Sequence, residues 1–257
     1  MISGVLGILF LVVGTVLSCR YYFPFRLSKP SNWPRVLVYH ACDKDVWSGM
    51  PIRLNVVPSE LEKQIRWLKR KGYAFLTVTE LVALGPDANK GLHVCLTFDD
   101  GFEDNYTCLF PLLKKYNVKA TVFAGQRSTF PGKPMLNPSQ MKELSDSGLV
   151  EFGGHTNSHV NLKETDDAEA EKEILGNKEW IESIIGRPVT SFAYPFGHYT
   201  KRDMDILRKF GFRGAVCSRK TVEPLGENVF EIPRLYVSGK CRIFQFPLIV
   251  KKCKYRS

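Results

Sequence analysis

The most informative segment of this 257-residue chain is Leu92-His-Val-Cys-Leu-Thr-Phe-Asp-Asp-Gly101. Its first seven residues are mostly apolar, as in a strand buried on both faces, and two carboxylates and a glycine follow them directly. An Asp-Gly pair is common in ordinary turns. Two adjacent carboxylates after a buried strand also indicate a divalent cation, because one can bind the ion while its neighbour handles protons.

Strands and helices alternate on both sides of this stretch. Apolar runs predict strands at 35–40, 75–78, 92–98, 120–124, 149–152, 189–194 and 214–217. Apolar residues spaced three and four apart, with capping signals, predict helices at 58–72, 108–116, 139–147, 166–185 and 201–210. Continuous apolar strands that alternate with helices favour a parallel α/β sheet or barrel, whose active site lies at the carboxyl ends of the strands.

The second candidate group is the histidine pair in His155-Thr-Asn-Ser-His159. If this segment is a helical turn, the four-residue spacing brings both imidazoles to one point. A pair of surface or capping histidines is the alternative. Two histidines and one carboxylate form a common facial set for a divalent ion. Zn²⁺ suits this set, Co²⁺, Ni²⁺ or Fe²⁺ would also fit, and the ion would lower the pKa of bound water and polarise a carbonyl.

Three motifs together resemble those of the polysaccharide deacetylase family (NodB homology domain, carbohydrate esterase family 4). Thr97-Phe-Asp-Asp-Gly101 is similar to the first motif of that family, the histidine segment 155–159 to the second, and Phe192-Ala-Tyr-Pro-Phe-Gly197 to the third. The resemblance runs from about residue 35 to residue 237. It implies an α/β fold, namely a distorted (β/α) barrel of the NodB type. It also implies hydrolysis of N-acetyl groups from an amino-sugar-containing polysaccharide or glycolipid, with release of acetate.

The resemblance also implies roles for four residues of the first two motifs. Asp99 is the general base, and Asp100, His155 and His159 hold the metal. In such a reaction, water attacks the amide carbonyl, the base takes a proton, and a general acid protonates the departing amine. The free amine that results would add positive charge to the polymer.

The third motif is expected to line the substrate site through Tyr194, Pro195, Phe196 and Gly197. The backbone N–H of Phe196 is a candidate donor to the oxyanion. The rings of Tyr194 and Phe196 are candidates for stacking on a sugar, and plain core packing is the alternative for both.

The chain departs from the broader family at the residue that orients the base. Many members have an arginine after the Phe of the third motif, and Ala193 occupies that place here. Arg234, in Ile232-Pro-Arg-Leu-Tyr236, is the candidate substitute. Our hypothesis is that its guanidinium reaches Asp99; a surface or loop arginine is the alternative.

The general acid is the second departure. Many members carry a late Leu-x-His, but the matching stretch here reads Leu235-Tyr-Val237. His40, in Leu37-Val-Tyr-His40, resembles an early histidine of the poly-N-acetylglucosamine deacetylase branch and is the candidate acid. A structural histidine at a strand end is the alternative. A glutamine on the first helix, Gln64, also resembles that branch, whereas His198 is a weaker candidate for contact with substrate.

Two other functions stay open at this level. A non-catalytic glycan-binding protein on the same fold is one alternative, motivated by the missing arginine and the missing late histidine. An amidase that acts on a non-sugar amide is the other.

The N-terminal residues predict an anchor. Residues 2–19 carry no charge and are long enough to make a marginal single transmembrane helix. A cleaved signal peptide and lipidation at Cys19 are alternatives. We therefore divide the chain into a transmembrane or signal-anchor segment (1–19), a linker (20–34) and a NodB-like domain (35–257).

The sequence and the expected substrate predict opposite orientations for this anchor. Arg20, Arg26 and Lys29 follow the span, and the positive-inside rule alone would place the domain in the cytoplasm. Polymeric glycans of the expected kind lie outside the membrane, so we expect an extracytoplasmic domain. A lipid-linked sugar at the inner leaflet would reconcile the two.

Composition limits the partners further. The formal charge is +10, from 36 Lys and Arg against 26 Asp and Glu. Such a charge predicts attraction to an anionic partner such as phospholipid or an acidic envelope polymer, and a basic surface that only aids solubility is the alternative. Scattered basic residues without a nucleic-acid motif argue against nucleic acid, and no protein partner is indicated. Seven cysteines without a CxxC pair exclude a zinc ribbon, and a bridge between Cys241 and Cys253 is open.

Overall fold

The computed structural model of the protein describes residues 32–252. A single sheet of nine strands has parallel pairing throughout. The strands are β1 (Arg35–Tyr39), β2 (Ala74–Phe75), β3 (His93–Asp100), β4 (Ala120–Ala124), β5 (Val150–Gly154), β6 (Ser191–Ala193), β7 (Gly214–Cys217), β8 (Ile232–Pro233) and β9 (Leu235–Tyr236). Their order is β8-β7-β6-β5-β4-β3-β1-β9, and β2 pairs with the start of β3.

The sheet curls into a nearly closed barrel because its two edges belong to one short segment. β8 pairs with β7, β9 pairs with β1, and Arg234 alone separates β8 from β9. The Arg234 N–H donates to the Cys217 carbonyl at 3.1 Å, and the Val237 N–H donates to the Val38 carbonyl at 3.2 Å. We name residues 232–237 the closing segment. Arg234, within this segment, is 1% exposed.

Helices cover the outside of the barrel. They are α1 (Pro58–Arg70), α2 (Val78–Leu84), α3 (Phe110–Tyr116), α4 (Pro138–Asp146), α5 (Asp167–Ile185), α6 (Lys201–Lys209) and α7 (Phe246–Lys252). The apolar faces of all but α2 pack on the strands in one large cluster of buried residues, as the alternating pattern predicts. Val78 and Leu81 of α2 belong to a second cluster, with strand residues such as Cys95 and Phe123. The α/β barrel expected from the sequence is therefore confirmed.

Several predicted boundaries were wrong, and capping explains the clearest case. The strand predicted at 75–78 ends at Phe75, and Val78 begins a helix instead. The Thr77 hydroxyl accepts the Glu80 N–H at 3.2 Å, and the Glu80 carboxylate accepts the Thr77 N–H at 2.9 Å. This reciprocal capping box fixes a helix start that apolar periodicity does not register. The helix predicted at 108–116 is α-helical only from Phe110, because residues Asn105–Leu109 form a π-helical turn.

Some predictions fall on residues that the structure does not describe. The anchor at 1–19, most of the linker at 20–34, and Cys253 lie outside the described residues. None of the helices within residues 32–252 combines the length and the apolar character that crossing a membrane requires.

Candidate active site and metal centre

Most of the predicted site residues line one cavity at the carboxyl ends of the barrel strands, whereas Pro195 and Gly197 are not among its lining residues. The cavity has a volume of about 660 Å³. Its lining includes both carboxylates of the first motif and both histidines of the second, with His40, Tyr194, Phe196 and Arg234. Ser128, Thr129 and Phe130, from the loop after β4, and Arg53 also line it.

Three of these side chains form a set that could hold a metal ion. One ligand atom each from Asp100, His155 and His159 lies within 4.8 Å of the others. Oδ1 of Asp100 is 3.8 Å from Nε2 of His155 and 3.6 Å from Nε2 of His159. Within the described part of the chain, Asp100 Oδ1 and His155 Nε2 are buried without a hydrogen-bond partner. Buried polar atoms that converge without partners fit a divalent cation.

The electrostatics of the set also favour a bound cation. Burial, followed by the neighbouring carboxylate of Asp99, raises the pKa of Asp100 to about 8. Burial lowers the pKa of His155, and burial together with His155 lowers that of His159 to about 3. The imidazoles are therefore neutral, as metal ligands must be, and a bound cation would stabilise the ionised form of Asp100.

A hydrogen bond to the backbone orients His155 for this role. Its Nδ1 lies 2.7 Å from the Ala193 carbonyl. Because a carbonyl only accepts, Nδ1 carries the proton and Nε2 keeps its lone pair for a metal. The Asn177 side chain of α5 accepts the His155 N–H at 2.8 Å and donates to the Ala124 carbonyl at 3.0 Å. Asn177 thus ties the ends of β4 and β5 together beneath the ligand.

The histidine segment does not form the helical turn on which its predicted convergence was conditional. Thr156 and His159 both have positive φ, at 62° and 55°, so the backbone bends sharply instead of following a helix. The Ser158 N–H donates to the Glu173 carboxylate of α5 at 2.8 Å, which supports the bend. The two imidazoles still converge, with ring centroids 5.0 Å apart. The prediction of convergence was right, and the local structure behind it was wrong.

Asp99 lies in an environment opposite to that of Asp100. Nη1 of Arg234 donates to Asp99 Oδ1 at 2.6 Å, and Nη2 donates to Oδ2 at 2.8 Å. The expected contact between Arg234 and Asp99 is thus a bidentate ion pair. Nη1 also reaches the Thr97 hydroxyl at 3.2 Å. Burial would raise the pKa of Asp99, but the Arg234 guanidinium holds it at about 2.

His40 follows β1 and lines the same cavity. Its Nδ1 is buried and has no hydrogen-bond partner among residues 32–252. Burial lowers its pKa to about 4, although the nearby Asp99 partly opposes this shift. Gln64 supports β1, the strand that leads to His40, because the hydroxyl of Tyr39 at the end of that strand donates to the Gln64 side chain at 2.8 Å. His93, in contrast, bonds the Ala88 carbonyl at 2.9 Å at the start of β3.

The third motif divides into a buried part and an exposed part. Tyr194 is fully buried, stacks on Tyr199 at 4.5 Å, and donates its hydroxyl to the Phe230 carbonyl at 2.9 Å. Of the two alternatives for Tyr194, the structure shows core packing, because core neighbours engage both the ring and the hydroxyl; a contact of Tyr194 with substrate stays a prediction. Phe196 is 59% exposed and lies edge-on to His159, with centroids 4.6 Å apart.

Backbone geometry presents Phe196 at the cavity. The residue has φ of 60°, a strained value for an aromatic residue. Pro195 before it is buried, and Gly197 after it has φ of 72°. A Cβ on Gly197 would lie 2.5 Å from Cβ of Ser218, so glycine alone fits this close approach.

Sequence reasoning missed several residues that shape the site. Asn177 and Glu173 carry no motif signal, because both look like ordinary polar positions of an amphipathic helix. Gly153 and Gly154 gave a weak signal as a pair at a strand end. A Cβ on Gly153 would lie 2.5 Å from the Phe123 ring, and one on Gly154 would lie 2.9 Å from the Phe192 ring. The pair therefore allows aromatic residues to pack beneath His155.

Fold and site together define a parallel α/β barrel that gathers a cation-binding set and a paired carboxylate at one mouth. Comparison with known proteins agrees with this class. The sequence pattern of the family described as polysaccharide deacetylase matches residues 87–215, about half of the chain. The chain therefore belongs to the polysaccharide deacetylase family.

Individual relatives cover most of the described barrel. A poly-beta-1,6-N-acetyl-D-glucosamine N-deacetylase of Staphylococcus aureus is 29% identical over 202 residues, 72% of this chain and 68% of that protein. The crystal structure of a polysaccharide deacetylase from Bacillus cereus superposes with a TM-score of 0.74 at 29% identity, over 85% of this chain and 69% of that one. The structure of IcaB from Ammonifex degensii gives 0.74 at 25% identity, over 87% and 97%.

Proposed function

We propose that this protein hydrolyses N-acetyl groups from an amino-sugar-containing glycan and releases acetate. The observation that carries the proposal is the pair of adjacent, equally buried carboxylates with opposite surroundings. Asp100 joins two neutral imidazoles in a metal-binding set, while Asp99 is held ionised by Arg234. Asp100, His155 and His159 would hold the ion, and a bound divalent ion, such as Zn²⁺, polarises a carbonyl and activates water.

The remaining steps belong to the residues of the chain. Asp99, ionised across the ordinary pH range, accepts a proton from the attacking water. Arg234 fixes the carboxylate in a single orientation through two parallel hydrogen bonds. His40 is neutral in the resting site and takes up the proton that Asp99 has accepted from the attacking water, which leaves Asp99 ionised again. His40 then passes that proton to the departing amine.

The rim of the cavity supports a sugar as the substrate. Phe196 offers an exposed aromatic ring beside His159, on which an apolar sugar face can stack. Its backbone N–H is our candidate donor to the oxyanion. The relative in Staphylococcus aureus acts on poly-N-acetylglucosamine by its name, and we propose a similar exopolysaccharide or envelope glycan here. We also propose that the N-terminal segment anchors the protein in the membrane and that the domain acts outside the membrane.

Acetate release from acetylated glucosamine oligomers tests the proposal. We expect the native protein to release acetate and Asp99→Asn to lose about a thousandfold in rate, with its metal retained, because the base is gone. His40→Gln should lose about a hundredfold if it supplies the proton. Asp87→Asn is the matched control, because Asp87 lies in an exposed pair with Lys90. Native protein that binds metal but releases no acetate from a panel of glycans would refute the proposal.

A further inference from the structure

The lining of the cavity contains more cationic than anionic side chains. Its lining holds the carboxylates of Asp99 and Asp100, and the cations Arg53, Lys220 and Arg234. Asp99 pairs with Arg234, and Asp100 belongs to the metal-binding set. Neither lining carboxylate is therefore left to compensate Arg53 at the rim, and a bound divalent ion would add further positive charge.

Arg53 is held at this rim by a rigid turn. It is the middle residue of a short 3-10 helix, Ile52–Leu54, which follows a loop after β1. The Arg53 carbonyl accepts the Tyr236 hydroxyl at 2.6 Å and the Gly239 N–H at 2.8 Å. Gly239 packs so closely that an added Cβ would lie 2.3 Å from the Ile52 carbonyl oxygen. The backbone at Arg53 is thus fixed to the closing segment and to the residues that follow it.

The side chain of Arg53 is exposed while it lines the cavity. The charge of Arg53 acts on the active site, because Arg53 is among the groups that lower the pKa of His40, after burial, Arg234 and His159. A polymer that places one sugar in the cavity must lay its neighbouring sugars across the rim. The units beside the reacting sugar therefore meet the field of Arg53.

We propose that Arg53 makes the enzyme select glycan stretches by charge, so that acetylated or anionic neighbours of the reacting sugar bind well and deacetylated neighbours bind poorly. The inference rests on the proposed function and deepens it. Each turnover converts a neutral amide into an amine that is protonated at neutral pH. Product stretches are then repelled by the rim, and the enzyme leaves deacetylated units spaced apart along the polymer.

Three trisaccharides test this selection. They share a reacting N-acetylglucosamine and differ in one neighbour: N-acetylglucosamine, glucosamine, or carboxylate-bearing N-acetylmuramic acid. At low ionic strength we expect kcat/KM to be about tenfold higher for the anionic than for the cationic neighbour, since two opposite charges are compared at short range. The ratio should shrink in high salt, where the interaction is screened.

Variants assign the effect to Arg53. Arg53→Gln should reduce the anionic-to-cationic ratio to about threefold or less, and Arg53→Lys should keep it because the charge is retained. Arg213→Gln is the matched control, because Arg213 is exposed just before β7, at the opposite end of the barrel, and its loss should not change the ratio. The same ratio in Arg53→Gln and the native protein would overturn the inference.

Failure of this inference is distinguishable from failure of the proposed function. If the native protein released no acetate from the neutral trisaccharide, the proposed function would fail. In that case the binding affinities of the three trisaccharides, measured by calorimetry on the native protein and Arg53→Gln, still test charge selection. Equal affinities for all three in both proteins would overturn it.

Discussion

The two halves of the cavity are built in different ways. The ligand half consists of Asp100, His155 and His159, and within residues 32–252 Asp100 Oδ1 and His155 Nε2 are buried without a hydrogen-bond partner. The base half consists of Asp99, Arg234 and His40, and in it Asp99 is already satisfied by a bidentate arginine. The ligand half is therefore complete only with a cation, whereas the charge of the base is balanced by the chain itself.

The difference separates two requirements of one reaction. A metal set must remain open, because polar atoms that bonded one another would no longer be available to an ion. A general base must instead be ionised and fixed in orientation before substrate arrives. Adjacent residues at the end of β3 meet both requirements because Asp100 departs from strand geometry, with φ of 75°, so that its side chain lines the same cavity as that of Asp99.

The largest effect should follow from removing a carboxylate of the ligand half. We expect Asp100→Asn to lose most of its bound metal and at least about a thousandfold in activity, since the ion's contribution to the barrier is several kcal/mol. Metal content by mass spectrometry and acetate release measure the two effects. Asp99→Asn should keep its metal, so equal metal loss in both variants would contradict the division into halves.

The next effect concerns the stability of the base half. Arg234→Met should lower the free energy of unfolding by about 3–5 kcal/mol, because it leaves Asp99 buried without its partner. Urea unfolding of metal-free protein measures this loss. Arg234→Lys should recover part of it, since lysine keeps the charge but not the two-pronged geometry.

A double variant checks the cause of that loss. Asp99→Asn combined with Arg234→Met removes both charges and should regain much of the stability lost by Arg234→Met alone. If the stability lost by the double variant equalled the sum of the losses in Asp99→Asn and Arg234→Met, the ion pair would not be the source of the destabilisation.

The smallest effect should come from the rim of the ligand half. Phe196→Ala should raise KM for acetylated oligomers about fivefold, or ~1 kcal/mol, through loss of one stacking face, with kcat changed less. Phe244→Ala is the matched control, because Phe244 is 74% exposed and is absent from the cavity lining. An unchanged KM for Phe196→Ala would exclude stacking.

Much of the barrel could be predicted from the sequence, because its main strands are continuous apolar runs and its site residues follow them directly. The ligand half was visible for the same reason, since β3 and β5 each end in a motif. The closing strands β8 and β9 were not visible, because two residues carry no periodicity. The bend at Thr156 and His159 was missed because nothing in their residue types indicates positive φ.

The base half was predicted by resemblance and not by pattern. Arg234 lies 135 residues from Asp99, and no spacing rule connects the two. It became a candidate because the expected arginine was missing at Ala193. The burial of Tyr194 was undecidable from sequence, because its partners Tyr199 and Phe230 come from two separate segments.

The closing segment has a consequence for the order in which the chain acquires its parts. As the protein is synthesised, the residues of the ligand half leave the ribosome first, and Arg234 follows 75 residues after His159. Until then, the barrel lacks the segment that pairs with β1 and β7. Closing the ring and neutralising its buried base are therefore one late event of folding, and a chain interrupted before it would retain ligands without an oriented base.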